Sequence, residues 1–204
     1  DLAESFTLKN PFSVIHQNKN FSVTACLWQI GQGTLSFECF LNNEELSVKG
    51  EGISLPLNTL GILYPRLAFQ GIASFQTSIT GKDTETKGHF LLALEQADLS
   101  PNKSQNAKAK GSLQVHFSPL GAQIHTHLYG KNDQFLEGSA TLPMQYSYNP
   151  FYWKIDTEKP VTGDLTMQGA IEDLFDFVNT SSHKASGWIT AHLLLAKLLK
   201  SLTS

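Results

Sequence analysis

The 204-residue chain has little charge. Lys and Arg number 15 against 18 Asp and Glu, so charged residues make up 16% and the net charge is −3, where ~25% charged is ordinary. A nucleic-acid partner needs a basic patch, so none is expected. No run of ~18 apolar residues occurs, and nothing here spans a bilayer as a helix. Signatures of common enzymes are missing too: no G-x-S-x-G, no P-loop and no G-x-G-x-x-G. No nucleophile stands beside a plausible local base, so neither an enzyme nor a cofactor is expected. The chain has no initiator Met and no signal peptide; DLAESFTLKN opens as though cut from something longer. Export or anchoring signals are expected outside it.

Phe (13) and Gly (15) are frequent, and alternation with period two recurs almost throughout. In FSVTACLWQI, Cys26, Trp28 and Ile30 share a face; in TLSFECFL, Leu35, Phe37 and Cys39 do. GQG lies between them. Taking Gln32-Gly33 as a two-residue turn sets Ile30 against Leu35, Trp28 against Phe37 and Cys26 against Cys39. The rhythm continues with Leu46 and Val48, then changes phase near Gly50 and Gly52 to Ile53, Leu55 and Leu57. Further sets are Phe69, Ala73, Phe75 and Ile79, then Phe90, Leu92 and Leu94. Residues 99–111 read as a polar, basic loop. SPLG places Pro119 and Gly121 as a type I turn requires, which sets Val115 against Ile124 and Phe117 against Ala122. Later strands carry Leu136, Ala140, Leu142 and Met144, then Val161, Leu165 and Met167. In IEDLFDFV the spacing of Ile171, Leu174, Phe175 and Val178 predicts a short helix. The tail WITAHLLL returns to a strand, with Ile189, Ala191, Leu193 and Leu195 on one face. The pattern predicts an all-β chain: an antiparallel meander of ten to twelve strands with one short helix near 171–178.

Several side chains invite chemistry. His125 and His127 form an H-x-H, and the expected register adds His116 to their face; three imidazoles there could bind Zn²⁺. No Asp, Glu or Cys joins them locally, so they read as polar residues on a wet face and no metal is assigned. Cys26 and Cys39 form a cross-strand disulfide in an oxidising compartment, or else serve as two small buried hydrophobes. Asp173 and Asp176 read as the solvated face of the short helix. Tyr146, Tyr148, Phe151, Tyr152 and Trp153 could stack on sugars, or cover the core at a strand edge.

Read together, LEGSATLPM, NPFYWKIDTEKPVTGDLTM, IEDLFDFVN and ASGWITAHLLL resemble the β-repeat region of the TamB family, the inner-membrane-anchored subunit of the translocation and assembly module. Leu142-Pro143 closes one strand. Pro160, Val161, Gly163 and Leu165 match the next, Asp173, Leu174 and Val178 match the family's short helix, and Ala185 to Leu195 match its last strand. GISLPLNTLGILYPRLAFQGIASF is an earlier echo. The match is clearest over 111–195. It departs from the family where Ala196, Lys197, Leu198 and Leu199 replace a Gly-Thr-Leu followed by Pro.

The resemblance implies that residues 1–204 form a single β-rich segment of a larger periplasmic protein. Its full-length form would be anchored in the inner membrane outside this stretch. The sheet would curl into an open, U-shaped groove shielding phospholipid acyl chains. Such a segment would support lipid transport between inner and outer membranes and outer-membrane protein assembly, with an Omp85-type barrel as partner. Candidate groove residues are Val115, Phe117, Ile124, Leu128, Leu136, Leu142, Val161, Leu165, Met167, Ile189, Leu193 and Leu195. The alternative is a closed β-sandwich binding module for glycans, using the Tyr146–Trp153 cluster.

Overall fold

A computed structural model describes residues 5–18, 20–42, 44–59, 70–82, 85–98, 108–130, 135–148, 151–170 and 187–198. Alternating side chains and Gly-bearing turns give fourteen strands: β1 (Phe6–Asn10), β2 (Val14–Gln17), β3 (Asn20–Ile30), β4 (Gly33–Leu41), β5 (Glu45–Pro56), β6 (Gln70–Lys82), β7 (Glu85–Asp98), β8 (Lys108–Ser118), β9 (Gly121–Tyr129), β10 (Phe135–Leu142), β11 (Met144–Tyr148), β12 (Phe151–Ile155), β13 (Pro160–Ala170) and β14 (Trp188–Leu198). A 3-10 turn follows β5 at Leu57–Thr59. Twelve strands make one antiparallel sheet in the order β1-β3-β4-β5-β6-β7-β8-β9-β10-β13-β14, with β2 also on β3. Hairpin β11–β12 stands apart as a second, two-stranded sheet. The large sheet is open: β14 lies at one margin, β1 and β2 at the other.

The all-β, antiparallel expectation holds. The short helix at 171–178, with Asp173 and Asp176, lies outside the described residues, as does the expected strand residue Phe69. Of the loop expected at 99–111, residues 108–111 belong instead to β8, which begins at Lys108, and 99–107 lie outside the described residues. Met144 does not continue β10. Pro143 interrupts that strand, and Met144 opens β11 opposite Ile155. A proline cannot donate to a ladder, which is why the chain leaves the sheet there.

Two registers separate expectation from structure in opposite ways. Around SPLG the pairing is the expected one: Val115 faces Ile124, Phe117 faces Ala122 and Ser118 faces Gly121. Around GQG it is not. The turn residues are Gly31 and Gln32, so Ile30 faces Gly33, Trp28 faces Leu35 and Cys26 faces Phe37. Gly31 has φ +56, the left-handed conformation such tight hairpins demand and glycine supplies most easily. A two-residue slip conserves the face of every side chain, so hydrophobic alternation alone cannot distinguish the two pairings. A further irregularity between Val23 and Cys26 then sets Cys39 against Val23.

The phase change in β5 is also placed differently. Gly50 and Gly52 continue the face of Leu46 and Val48, pairing with Phe37 and Leu35. The break comes between Gly52 and Leu55, where Ser54 adopts φ +52. This bulge leaves Ile53 opposite Thr34 on the other face and returns Leu55 to the apolar one, opposite Ala73. It also carries the chain to Leu57, which is buried with Ala73 and Ala97 against Leu92 and Leu94.

Candidate functional site

Residues paired in an antiparallel ladder share a face, and successive residues alternate. Following the pairs across the sheet assigns every strand. Phe117, Val115 and Leu113 on β8 pair with Ala122, Ile124 and Thr126 on β9. Those pair with Leu142, Ala140 and Gly138 on β10, while Leu128 pairs with Leu136. Leu136 and Gly138 pair with Met167 and Leu165 on β13. Met167, Leu165, Gly163 and Gly169 pair with Ala191, Leu193, Leu195 and Ile189 on β14. Val161 precedes Gly163 by two residues on β13. All twelve candidate groove residues therefore lie on one face of one sheet.

That face continues where the candidate set stopped. Phe90 and Leu92 on β7 pair with Val115 and Leu113, and Ile79, Thr77 and Phe75 on β6 pair with Gly88, Phe90 and Leu92. Val48 on β5 pairs with Ile79 and with Cys39 on β4. Trp28 and Ile30 pair with Leu8 and Phe6 on β1. The opposite face is mostly polar, with Gln29, Ser36, Glu38, Lys49, Gln76, Ser78, Lys87, His89, Gln114, His116, Glu137, Thr166 and His192, and it also bears the exposed Leu27, Phe40, Ile53, Leu91, Trp188 and Leu194. The alternation that marked the first twelve residues marks the added ones equally; only the register joins them into one surface.

Few of these apolar side chains are sealed. The buried hydrophobic set among the described residues is Cys26, Ile30, Leu57, Ala73, Ala97 and Ala122, and no large side chain is fully buried. Phe75 and Phe90 stack with ring centroids 6.2 Å apart, and Phe12 lies tilted over Trp28 at 6.4 Å. Toward the β14 margin cover diminishes: Leu193 is 50% and Leu195 52% exposed. Contacts between elements run mainly between ladder neighbours, with the 3-10 turn resting on β6 and β11 touching β9. Among the described residues, the one other sheet is the two-stranded β11–β12 hairpin.

Glycines punctuate the same face. At Gly88 a Cβ would meet the backbone of β6, at Ser78 O and at Ile79 Cα, the latter 2.7 Å away. At Gly111 it would meet His127 O, and at Gly163 Ser139 O. Neighbouring backbones approach so closely at these points that no side chain fits between them.

The two cysteines are free thiols, two positions out of the opposition expected of them. Cys26 Sγ donates to Phe37 O at 3.3 Å. Burial pushes the Cys39 thiol above its ordinary pKa, because desolvation disfavours the thiolate. His116, His125 and His127 do share a face, as expected, and His89 joins them opposite His116. Among the described residues no group of three or more His, Cys, Asp or Glu is placed to hold a metal ion. The backbone of Tyr146–Trp153 forms β11–β12, with Tyr146 opposite Trp153; the placement of those aromatic rings lies outside the described part.

Two open hollows among the described residues lie on the polar face. The larger, about 780 Å³, spans β8, β9, β10 and β13. The smaller, about 330 Å³, includes Glu38, Lys49, Gln76 and His89.

Polar-face contacts are sparse. Lys49 reaches Glu38 at 3.0 Å directly across β4–β5, an exposed pair worth about 0–1 kcal/mol. His127 Nδ1 lies 3.9 Å from Glu137 Oε1. Comparison of the chain with protein-family models, with curated proteins and with solved structures gave no match.

Proposed function

We propose that this chain is a non-enzymatic segment of an envelope-spanning protein. Its apolar sheet face shields phospholipid acyl chains on their way between the inner and outer membranes of a diderm bacterium. The observation that carries this reading is the continuity of one apolar face over the large sheet, on which no large side chain is fully buried among the described residues. Eleven strands follow one another along the sheet, so at ~4.8 Å per strand the face runs about 50 Å along its contour. Three to four inward residues per strand make it about 20 Å deep, on the order of 1,000 Å². The largest apolar patch on an ordinary monomer is ~300–600 Å². A surface of this size calls for a cover, and hydrocarbon chains supply one at ~0.8 kcal/mol per buried CH₂.

The expected U-shape finds support in the glycines. Close backbone approach at Gly88, Gly111 and Gly163, all on the apolar side, suits a sheet bent inward on that face, where side chains would crowd. In the proposed mechanism tails slide along the apolar surface while headgroups stay in water at the open seam. The resemblance to the TamB family adds the periplasm, an inner-membrane anchor outside this segment, an Omp85-type barrel as partner and a role in outer-membrane protein assembly. The closed-sandwich alternative needs an opposing sheet larger than the two-stranded β11–β12 hairpin.

Photo-crosslinking tests the reading directly. A photoreactive residue at Leu165 or Leu193, in cells with intact membranes, should give phospholipid adducts. The same probe at Thr166 or His192, one residue along and on the polar face, should give none. Equal labelling at all four positions, or labelling at none, overturns the proposal.

A further inference from the structure

The polar face holds an arrangement the lipid reading does not use. Register sets two adjacent rows of hydrogen-bonding side chains across four strands. One row is Ser112, His127, Glu137 and Thr166; the next is Gln114, His125, Ser139 and Asp164. These eight line the 780 Å³ hollow, with Lys110 and Tyr129 at its end. That volume falls within the ~300–1,000 Å³ of small-ligand sites.

We propose that this hollow binds a neutral, hydroxyl-rich oligosaccharide. Charge narrows the ligand first. The lining holds one lysine, Lys110, against two carboxylates, Glu137 and Asp164, a balance that disfavours an anion such as phosphate. A metal cation lacks a ligand set, since no described group of three His, Cys, Asp or Glu is suitably placed. What remains is dense, uncharged hydrogen bonding. Asp164 Oδ1 accepts from Ser139 Oγ at 2.5 Å, which fixes that carboxylate and leaves Oδ2 able to accept from a sugar hydroxyl. The Gln114 amide can both donate and accept, as vicinal hydroxyls require. His127 and Tyr129 lie against each other with ring centroids 4.3 Å apart and planes tilted by 41°, and Tyr129 is 52% exposed. Held by His127, the exposed Tyr129 ring offers one face to the C–H face of a pyranose, with a hydroxyl at its rim. The aromatic cluster of β11–β12 plays no part in this site.

The test is a glycan array followed by isothermal titration of the whole chain with the best array ligand, with tri-N-acetylchitotriose, with cellotetraose and with inorganic phosphate. Saturable binding of an oligosaccharide is expected, with a dissociation constant at or below about 1 mM. Gln114→Ala and Tyr129→Ala, both at exposed positions, should each weaken it about tenfold or more. Thr141→Ala, exposed on the same face outside the hollow, should not, and thermal unfolding should be alike for all three variants. Binding to no glycan overturns the proposal, as does a preference for phosphate or affinity that survives both substitutions. The hollow and the apolar face are opposite sides of one sheet, so lipid crosslinking at Leu165 neither rescues nor defeats this result.

Discussion

At the scale of single residues, glycines of the same face differ in what they do. A Cβ at Gly88 would run into the backbone of β6, with Ile79 Cα at 2.7 Å, and backbone cannot step aside without breaking ladder bonds. At Gly50 the nearest atom is a Thr77 methyl carbon at 3.1 Å, followed by ring atoms of Phe37 and Phe75 at 3.6 Å. Those side chains can give a few tenths of an ångström. Gly88→Ala should therefore destabilise the sheet by about 1–3 kcal/mol, the usual cost of forcing atoms into filled space. Gly50→Ala should cost less than about 1 kcal/mol, since alanine also removes some of the glycine's excess chain entropy. Urea midpoints at unchanged slope measure the difference. Similar midpoints for the two variants would show that the tight approach at Gly88 is not a constraint.

At the scale of elements, period-two alternation made nearly every strand legible, and the Pro119 and Gly121 turn set one hairpin correctly. Three features resisted such reading, each for a physical reason. The slip around Gly31-Gln32 conserves side-chain faces, so no hydrophobic pattern reports it. The bulge at Ser54 depends on a non-glycine residue entering a left-handed conformation, which no turn dipeptide announced. The two polar rows are cross-strand objects: Ser139 and Asp164 lie 25 residues apart, and only the pairing of β10 with β13 joins them. The apolar face was more accessible because every strand carries its own share of it.

The same alternation makes β14 a sensitive place to separate faces. Leu193 pairs with Leu165 on the apolar face, whereas Leu194 pairs with Asp164 on the polar one and is 75% exposed. Leu194→Lys should leave stability within about 0.5 kcal/mol, reduce association along the open edge and keep phospholipid crosslinking at Leu165. Leu193→Lys should abolish crosslinking at Leu165 by setting an ammonium among acyl chains, a group that resists desolvation. Light scattering and crosslink yield read the two effects separately. Equal loss of crosslinking in both variants would mean that lipid contact does not follow the faces of the strand.

For the whole molecule the decisive quantity is the mismatch between the apolar surface presented and the core available to hide it. An ordinary domain of this length buries a shared core between two layers. Here the described part has one extended layer, a small buried cluster around Leu57, Ala73 and Ala97, and no large side chain fully buried. A single layer in water covers such a face with amphiphiles or with other copies of itself. Stripped of lipid, the chain should therefore bind a fluorescent apolar dye and self-associate reversibly. Adding a lysophospholipid below its micellar concentration should displace the dye and return the chain to monomers, because a tail of ~16 carbons gains on the order of 10 kcal/mol when buried along the face, less the cost of ordering it. Leu165→Glu combined with Leu128→Glu should remove the response to lysophospholipid while leaving oligosaccharide binding at Gln114 intact. Analytical ultracentrifugation with matched dye titrations makes the measurement. A delipidated chain that is monomeric, binds no dye and ignores the lysolipid would mean that residues outside the described sheet already cover the face, and the lipid reading would fall with it.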